Sequence, residues 1–102
     1  MRLIVHSAAR SELDAAVLWS KATFGSRTAA RLYRRFERAG RVLMREPALG
    51  TLSEGSVRKL PLGGFPYNLV YRVQGEVITV IAVAHQSRMP GYWQDRLRAT
   101  SP

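Results

Sequence analysis

The sequence contains no cysteine, few acidic residues and no long uninterrupted apolar run. Without cysteine the chain has no disulfide framework, no thiolate nucleophile and no sulfur ligand for a metal, which fits a reducing compartment. The apolar stretch near the N-terminus is too short for a signal peptide, and no segment approaches the roughly 18 apolar residues of a membrane span. We therefore expect a cytoplasmic protein that has no membrane partner.

The charge balance of the chain is strongly positive. Sixteen Lys and Arg stand against seven Asp and Glu, which gives 102 residues a net charge of +9. Such an excess suggests a polyanionic surface or an acidic protein as partner. The 46% of hydrophobic and 23% of charged residues are ordinary for a folded globular protein of one domain. We predict that residues 1–102 form a single domain.

Hydrophobic periodicity predicts two helices in the N-terminal half. A short strand over residues 2–6 precedes a helix that Ser7 caps and Gly25 ends. Ser26 then caps a second helix, which ends before Pro47. Because the turn between the two helices is so short, they are expected to pack as an antiparallel hairpin.

The sequence pattern of the C-terminal half predicts strands. Segments 56–60, 66–73 and 77–85 have strand character, and Gly75 suits a tight hairpin between the last two. The last strand is apolar on both faces, which is typical of a central strand, and Asp95–Ala99 is expected to form a short helix. The predicted fold is α+β, in the order β-α-α-β-β-β with a short C-terminal tail or helix. A four-stranded antiparallel sheet would carry the helical hairpin on one face.

One face of the second predicted helix consists of arginine. At about 100° per residue, seven arginines fall within an arc of roughly 120° opposite the apolar stripe. Like charges at this spacing weaken a helix by a few tenths of a kcal/mol per pair. The face is either simply solvated or a docking surface for nucleic acid or an acidic segment. Its members are Arg27, Arg31, Arg34, Arg35, Arg38, Arg41 and Arg45.

Four stretches, in order along the chain, carry a family resemblance. The helices read SAARSELDAAVLWSKATFG and AARLYRRFERAGRVLMREPALG, and the paired final strands read RKLPLGGFPYNLVYRV and ITVIAVAHQSRMPGYW. They resemble the RelE/ParE superfamily of toxins from bacterial toxin–antitoxin pairs, and the ParE-like branch more than the RelE-like one. The resemblance covers roughly residues 2–97.

The resemblance implies a small basic toxin that halts growth and is neutralised by a cognate antitoxin. The antitoxin is expected to wrap the toxin with an acidic, partly disordered segment in a hetero-oligomer, without any cofactor or metal. ParE-like members are understood to act on DNA gyrase and generally lack a nuclease constellation. RelE-like members are endoribonucleases that cut message on the ribosome. A ParE-like inhibitor of gyrase is our leading hypothesis, and a RelE-like nuclease is the alternative.

The nuclease alternative requires an acid, a base and cationic donors for the developing charge. His85 is the natural proton carrier because its ordinary pKa is near 6.5. Alternation places it on the strand face of Val77, Ile81 and Val83. In the other interpretation it only ends the strand, and Tyr92 closes the rim of the sheet. The candidate catalytic set, if the protein is a nuclease, is His85, Arg88, Arg72, Lys59 and Tyr92.

Partner binding is predicted to use exposed cations and aromatic residues. Tryptophan is enriched at binding hot spots, whereas Tyr67 and Tyr71 share a strand face that favours core packing. A third hypothesis is a stand-alone nucleic-acid-binding module that uses the arginines of the second helix. Few polar residues on that helix suit base readout. The residues predicted to bind antitoxin or target are Arg31, Arg34, Arg35, Arg38, Arg72, Trp19, Tyr92 and Trp93.

Overall fold

The computed structural model describes residues 1–99 and contains five strands and three helices in that range. The N-terminal half forms β1 (Arg2–Val5), α1 (Ser7–Phe24) and α2 (Ser26–Arg45), and the C-terminal half is mostly strand. The chain is α+β with the helical hairpin that the periodicity predicted. The remaining elements are β2 (Thr51–Leu52), β3 (Val57–Pro61), β4 (Tyr67–Gln74), β5 (Val77–His85) and α3 (Asp95–Ala99).

The sheet differs from the predicted one in strand number and in direction. Its order is β1-β5-β4-β3-β2, so it has five strands rather than four. β1 runs parallel to β5, with Leu3 opposite Ile78, while the other pairs are antiparallel. The prediction of a wholly antiparallel sheet was therefore wrong. The prediction that β5 is central is confirmed, because β5 lies between β1 and β4.

The helical hairpin turns at Gly25 and covers one face of the sheet. Gly25 has a φ of 98°, in the region that favours glycine, and its N–H donates to Lys21 O at 3.0 Å. The predicted serine caps are absent: His6 Nδ1 accepts from the N–H of Ala8 at 3.0 Å, and Gly25 itself precedes α2. The helices bury their apolar stripes against strands β4 and β5. This core includes Leu13, Leu32, Phe36, Leu43, Leu69, Tyr71, Ile78, Val80 and Val83.

A second, smaller core covers the opposite face of the sheet. Trp93 lies at its centre, only 2% exposed, with Tyr92 and Leu97 packed around it. The C-terminal segment thus closes the face that the helices leave open. The strand residues beneath it are Val57, Val70, Ile81, Ala82 and Ala84.

A bulge in β5 changes which side chains share a face. Val70 pairs with Ala82 and Tyr71 pairs with Val80, so Ile81 is an extra residue on β5. Simple alternation had grouped Ile81 with Val83, but the extra residue moves Ile81 to the second core and leaves Val83 under the helices. The alternation of side chains along β5 therefore changes phase at Ile81: even-numbered residues face the helices before the bulge, and odd-numbered residues face them after it.

Tyr71 ties the segment after α2 to the sheet. Its hydroxyl donates to Pro47 O at 2.7 Å and accepts from the N–H of Gly50 at 2.8 Å. A Cβ on Gly50 would lie 2.7 Å from the Tyr71 ring and 2.9 Å from Lys59 O, so this close approach requires glycine.

Removing the Tyr71 hydroxyl is expected to destabilise the fold. Tyr71→Phe keeps the buried ring but leaves the buried N–H of Gly50 without its acceptor, which costs about 1–3 kcal/mol. Urea denaturation followed by far-UV circular dichroism measures the change in unfolding free energy. The matched control is Tyr33→Phe at an exposed position of α2, where we expect less than about 0.5 kcal/mol. Equal effects at both positions would contradict the role given to the Tyr71 hydroxyl.

Candidate functional site

The end of β5 brings together four of the five residues of the predicted nuclease set. Lys59, His85, Arg88 and Tyr92 line one small cavity of about 60 Å³. Arg72 does not join them. It is 8% exposed, and its Nη2 lies 3.4 Å from the carbonyl oxygen of Leu97, beneath the C-terminal segment.

His85 lies at the exposed rim of the sheet on the side of the helices. It shares a second cavity, of about 220 Å³, with Glu12, Trp19 and Val83. Its Nδ1 accepts from the N–H of Ser87 at 3.1 Å and lies 2.7 Å from Ser87 Oγ. Its ring packs edge-on against the Tyr67 ring, with centroids 5.2 Å apart. These contacts orient the imidazole at the end of the strand.

Glu12 of α1 is the central charged group of the rim. Its Oε1 accepts from the N–H of Val83 at 3.1 Å and from Arg96 Nη1 at 2.8 Å. Its Oε2 accepts from the Tyr92 hydroxyl at 2.6 Å and from Arg96 Nη2 at 3.0 Å, and Arg88 Nη1 lies 3.6 Å away. One carboxylate therefore joins the first helix, the bulged strand and the C-terminal segment. We call Glu12, Arg88, Tyr92 and Arg96 the rim cluster.

The sequence reasoning missed Glu12 and Arg96. A signal for Glu12 is present in the sequence, because it lies three residues after Ala9 and four before Ala16, both of which are buried. A carboxylate beside an apolar stripe needs a partner when the helix packs. The chain holds sixteen Lys and Arg, however, and spacing alone does not select Arg96, which is 84 residues away.

The contacts within the rim cluster shift the pKa values of Glu12, Tyr92 and Arg96. Partial burial opposes ionisation of Glu12, but hydrogen bonds from Arg96, Tyr92 and the Val83 N–H outweigh it, so the pKa of the carboxyl lies below its ordinary value. Burial, together with the adjacent Glu12 carboxylate, raises the pKa of Tyr92 to about 12. The hydrogen bond to Glu12 raises the pKa of Arg96. The phenol therefore stays protonated and the Arg96 guanidinium stays charged near neutral pH.

Two guanidinium groups also lie over the ring of Tyr92. The Arg88 Cζ lies 3.8 Å and the Arg96 Cζ 5.2 Å from the centroid of its ring. The Arg88 side chain is 56% exposed, whereas those of Arg96 and Glu12 are 18% and 15% exposed. Arg88 is thus the most exposed member of the rim cluster.

A groove lined by aromatic rings adjoins the rim. We call it the aromatic groove; its volume is about 380 Å³, and Trp19, Phe24, Phe65, Tyr67 and Arg31 are among its lining residues. Trp19 and Phe24 are 56% and 63% exposed, and their rings meet edge to face at 5.6 Å. Trp19 and Tyr67 also line the cavity beside His85, so the aromatic groove and that cavity are neighbours.

The predicted arginine face of α2 is on the surface of the molecule. All seven of its arginines are exposed, and none forms an ion pair with a carboxylate of residues 1–99. Arg31 lies at its border with the aromatic groove, with its Cζ 5.7 Å from the centroid of the Phe65 ring. We call these seven residues the arginine face.

Trp93 is buried in the second core and is not exposed at the surface. It had been predicted to contact a partner, but it is 2% exposed at the centre of the second core. The apolar face of the sheet needs a cover, and the indole supplies it. Trp93 therefore acts through packing in this conformation, and Tyr92 is half-buried beside it.

Residues 1–99 contain neither a cluster of metal-binding side chains nor a helix that could span a membrane. No three His, Asp, Glu or Cys side chains within residues 1–99 are grouped so that they share a metal ion. None of the helices in that range combines the length and the apolar character that a bilayer span requires.

The fold is shared with a solved toxin–antitoxin structure. A chain of the structure titled "Chromosomal ParDE TA system from P. aeruginosa" superposes with a TM-score of 0.73 at 24% identity, over 83% of this chain and 95% of that chain. The family described as "ParE toxin of type II toxin-antitoxin system, parDE" matches residues 3–90. No curated protein matches at a significant level. The protein belongs to the ParE toxin family, as the resemblance along its sequence indicated.

Proposed function

We propose that this protein halts growth by binding a cellular target, DNA gyrase, without cutting a substrate, and that a cognate antitoxin neutralises it. The observation that carries the proposal is the match to the ParE toxin family over residues 3–90. The rim cluster supports an inhibitor that acts by binding rather than by chemistry, because the Tyr92 hydroxyl already donates a hydrogen bond to Glu12 at 2.6 Å.

The geometry of the rim weighs against the nuclease alternative. Tyr92, with a pKa raised to about 12, is a poor base at neutral pH. Arg88 lies over the Tyr92 ring and 3.6 Å from Glu12, so its charge is already partly offset. Arg72 is buried away from the cavity that holds Lys59 and His85. His85 would have to act there with few free cationic donors.

The antitoxin is proposed to bind the aromatic groove with an acidic, partly disordered segment. The groove offers exposed Trp19 and Phe24 as apolar anchors. Arg31 supplies positive charge in the groove, and Arg88 supplies it in the neighbouring cavity. Aromatic and arginine anchors are the usual hot spots of protein interfaces. A segment that folds on binding also covers large surfaces. Toxin and antitoxin are proposed to form a hetero-oligomer. Arg34, Arg35 and Arg38, which the sequence predicted to bind antitoxin or target, lie outside this groove on the arginine face.

The proposal predicts inhibition of gyrase with intact message. Purified toxin is added to a DNA supercoiling reaction and, separately, to a translating extract in which the length of a reporter message is followed. Supercoiling should fall as toxin rises, and the message should keep its length. His85→Ala is expected to leave the inhibition of supercoiling unchanged, because an inhibitor that acts by binding does not need the imidazole to carry a proton.

The opposite pattern would identify the RelE-like alternative. Cleavage of message in the extract that is lost in both His85→Ala and Arg88→Ala, with no effect on supercoiling, would overturn the proposal. His85 and Arg88 are both exposed, so both variants are expected to fold. Circular dichroism checks this before the cleavage results are interpreted.

A further inference from the structure

The arginine face is unusually uniform for a helix surface. Eight residues of α2 lie within its arc of roughly 120°, and seven are exposed arginines. The eighth, Val42, is half-buried. No carboxylate of residues 1–99 forms an ion pair with these arginines. Apart from the weaker effect of Glu37 and Glu46 at the edges of the arc, their mutual repulsion is therefore left to ions from solution or to a ligand.

The arginine face also contains a concave site. Its volume is about 300 Å³, and every lining residue is an arginine: Arg31, Arg34, Arg35, Arg38 and Arg41. A concavity lined by guanidinium groups raises the local positive potential and attracts anions. Guanidinium forks match the geometry of phosphate oxygens, which they bind with two parallel hydrogen bonds.

We infer that the arginine face binds the phosphate backbone of nucleic acid without reading its sequence. The 20 residues of α2 span about 30 Å, a length over which duplex DNA presents roughly one charge per 1.7 Å. The arc carries no Asn, Gln, Ser or Thr that would read base edges. Backbone contacts of this type give affinity and position rather than sequence choice.

The composition of the face favours a phosphate backbone over an acidic protein. Protein interfaces are depleted of charge at their centres and anchored by aromatic and apolar groups in pockets. The concavity on the arginine face holds no such anchor, whereas the separate aromatic groove does. The inference concerns the toxin itself and does not depend on gyrase being its protein target.

The test measures binding of a 20-base-pair DNA duplex to the full chain by fluorescence anisotropy between 50 and 200 mM salt. Arg34→Gln with Arg38→Gln is compared with Arg2→Gln with Arg98→Gln, which removes the same charge. Arg2 alternates with the helix-facing Leu3, and Arg98 lies on α3 against the second core, so both control positions are on the far side of the sheet. All four positions are exposed, and glutamine is a good helix former at the three positions that lie in helices, so both variants should fold.

We expect the wild-type affinity to fall steeply with salt. The variant of the arginine face should have a slope of log K against log salt that is shallower by about 1.8, and affinity lower by tens of fold at 100 mM salt. The control variant should stay close to wild type, and two unrelated duplex sequences should bind equally. Equal losses in the two variants would show that only net charge matters and would overturn the inference. So would a poly-glutamate peptide of equal charge that binds as tightly as the duplex, since the face would then suit an acidic protein.

Discussion

Trp93→Ala is expected to lower the unfolding free energy by about 3–5 kcal/mol, the range for a buried aromatic residue truncated in a core. Trp93 is 2% exposed and is the largest side chain of the second core. Its loss would leave a cavity between the sheet and the C-terminal segment. Because small domains are stable by only about 5–15 kcal/mol, the variant should lose a large part of its stability. Urea denaturation followed by far-UV circular dichroism measures the effect without relying on tryptophan fluorescence.

Two further variants test whether the loss of stability comes from the packing of Trp93 or from any substitution in the C-terminal segment. Trp93→Phe keeps an aromatic ring and should recover more than half of the loss. Met89→Ala, at a side chain 77% exposed in the same segment, should change stability by less than about 0.5 kcal/mol. If Trp93→Ala is as stable as wild type, the C-terminal segment does not cover the sheet in solution.

Glu12→Gln is expected to cost about 2–3 kcal/mol, a little under the range for breaking a buried ion pair. The side chains of Glu12 and Arg96 are only 15% and 18% exposed, so Arg96 would be left without its countercharge in a partly buried site. A neutral amide also has one acceptor oxygen where the carboxylate has two, and it therefore loses partners among Val83, Tyr92 and Arg96. The same urea titration measures the loss, and Asp14→Asn, at an exposed position of α1, is the matched control.

The pH dependence of the same variant tests the ionic nature of the rim cluster. The pKa of Glu12 is depressed in the folded state, so its stabilisation is complete above the unfolded value of about 4.3 and is lost as the pH falls through the folded value. The gap in stability between wild type and Glu12→Gln should therefore be constant from pH 6 to 8 and narrow below pH about 4. A gap that stays constant down to pH 3 would contradict an ionised Glu12 as its cause.

Local features of the fold were predictable because their causes lie close together in the chain. The stop at Gly25 depends on one backbone conformation, and the apolar stripes of α1 and α2 depend on steps of three and four residues. The hairpin at Gly75 requires only a tight turn between two strand-like segments. The arginine face is likewise a property of helical geometry and of the order of residues in α2. The family resemblance rests on the same local segments, and the match over residues 3–90 confirms it.

Features that join distant parts of the chain were not predictable. The parallel pairing of β1 with β5 joins residues about 75 positions apart, and the two-residue β2 carries too short a pattern to detect. The bulge at Ile81 shows only in the register of β5 against β4. Glu12 gains its partners only when α1, β5 and the C-terminal segment meet in space.

The sequence by itself determined the helical hairpin, the central strand β5, the surplus of positive charge and the alignment of seven arginines on α2. Each of these follows from backbone geometry or from composition, without reference to what packs where. The tertiary structure alone decided which face of the sheet Trp93 covers, which arginine neutralises Glu12 and which cations remain exposed. Burial, desolvation and ion pairing depend on distances between residues that only the packed chain brings together.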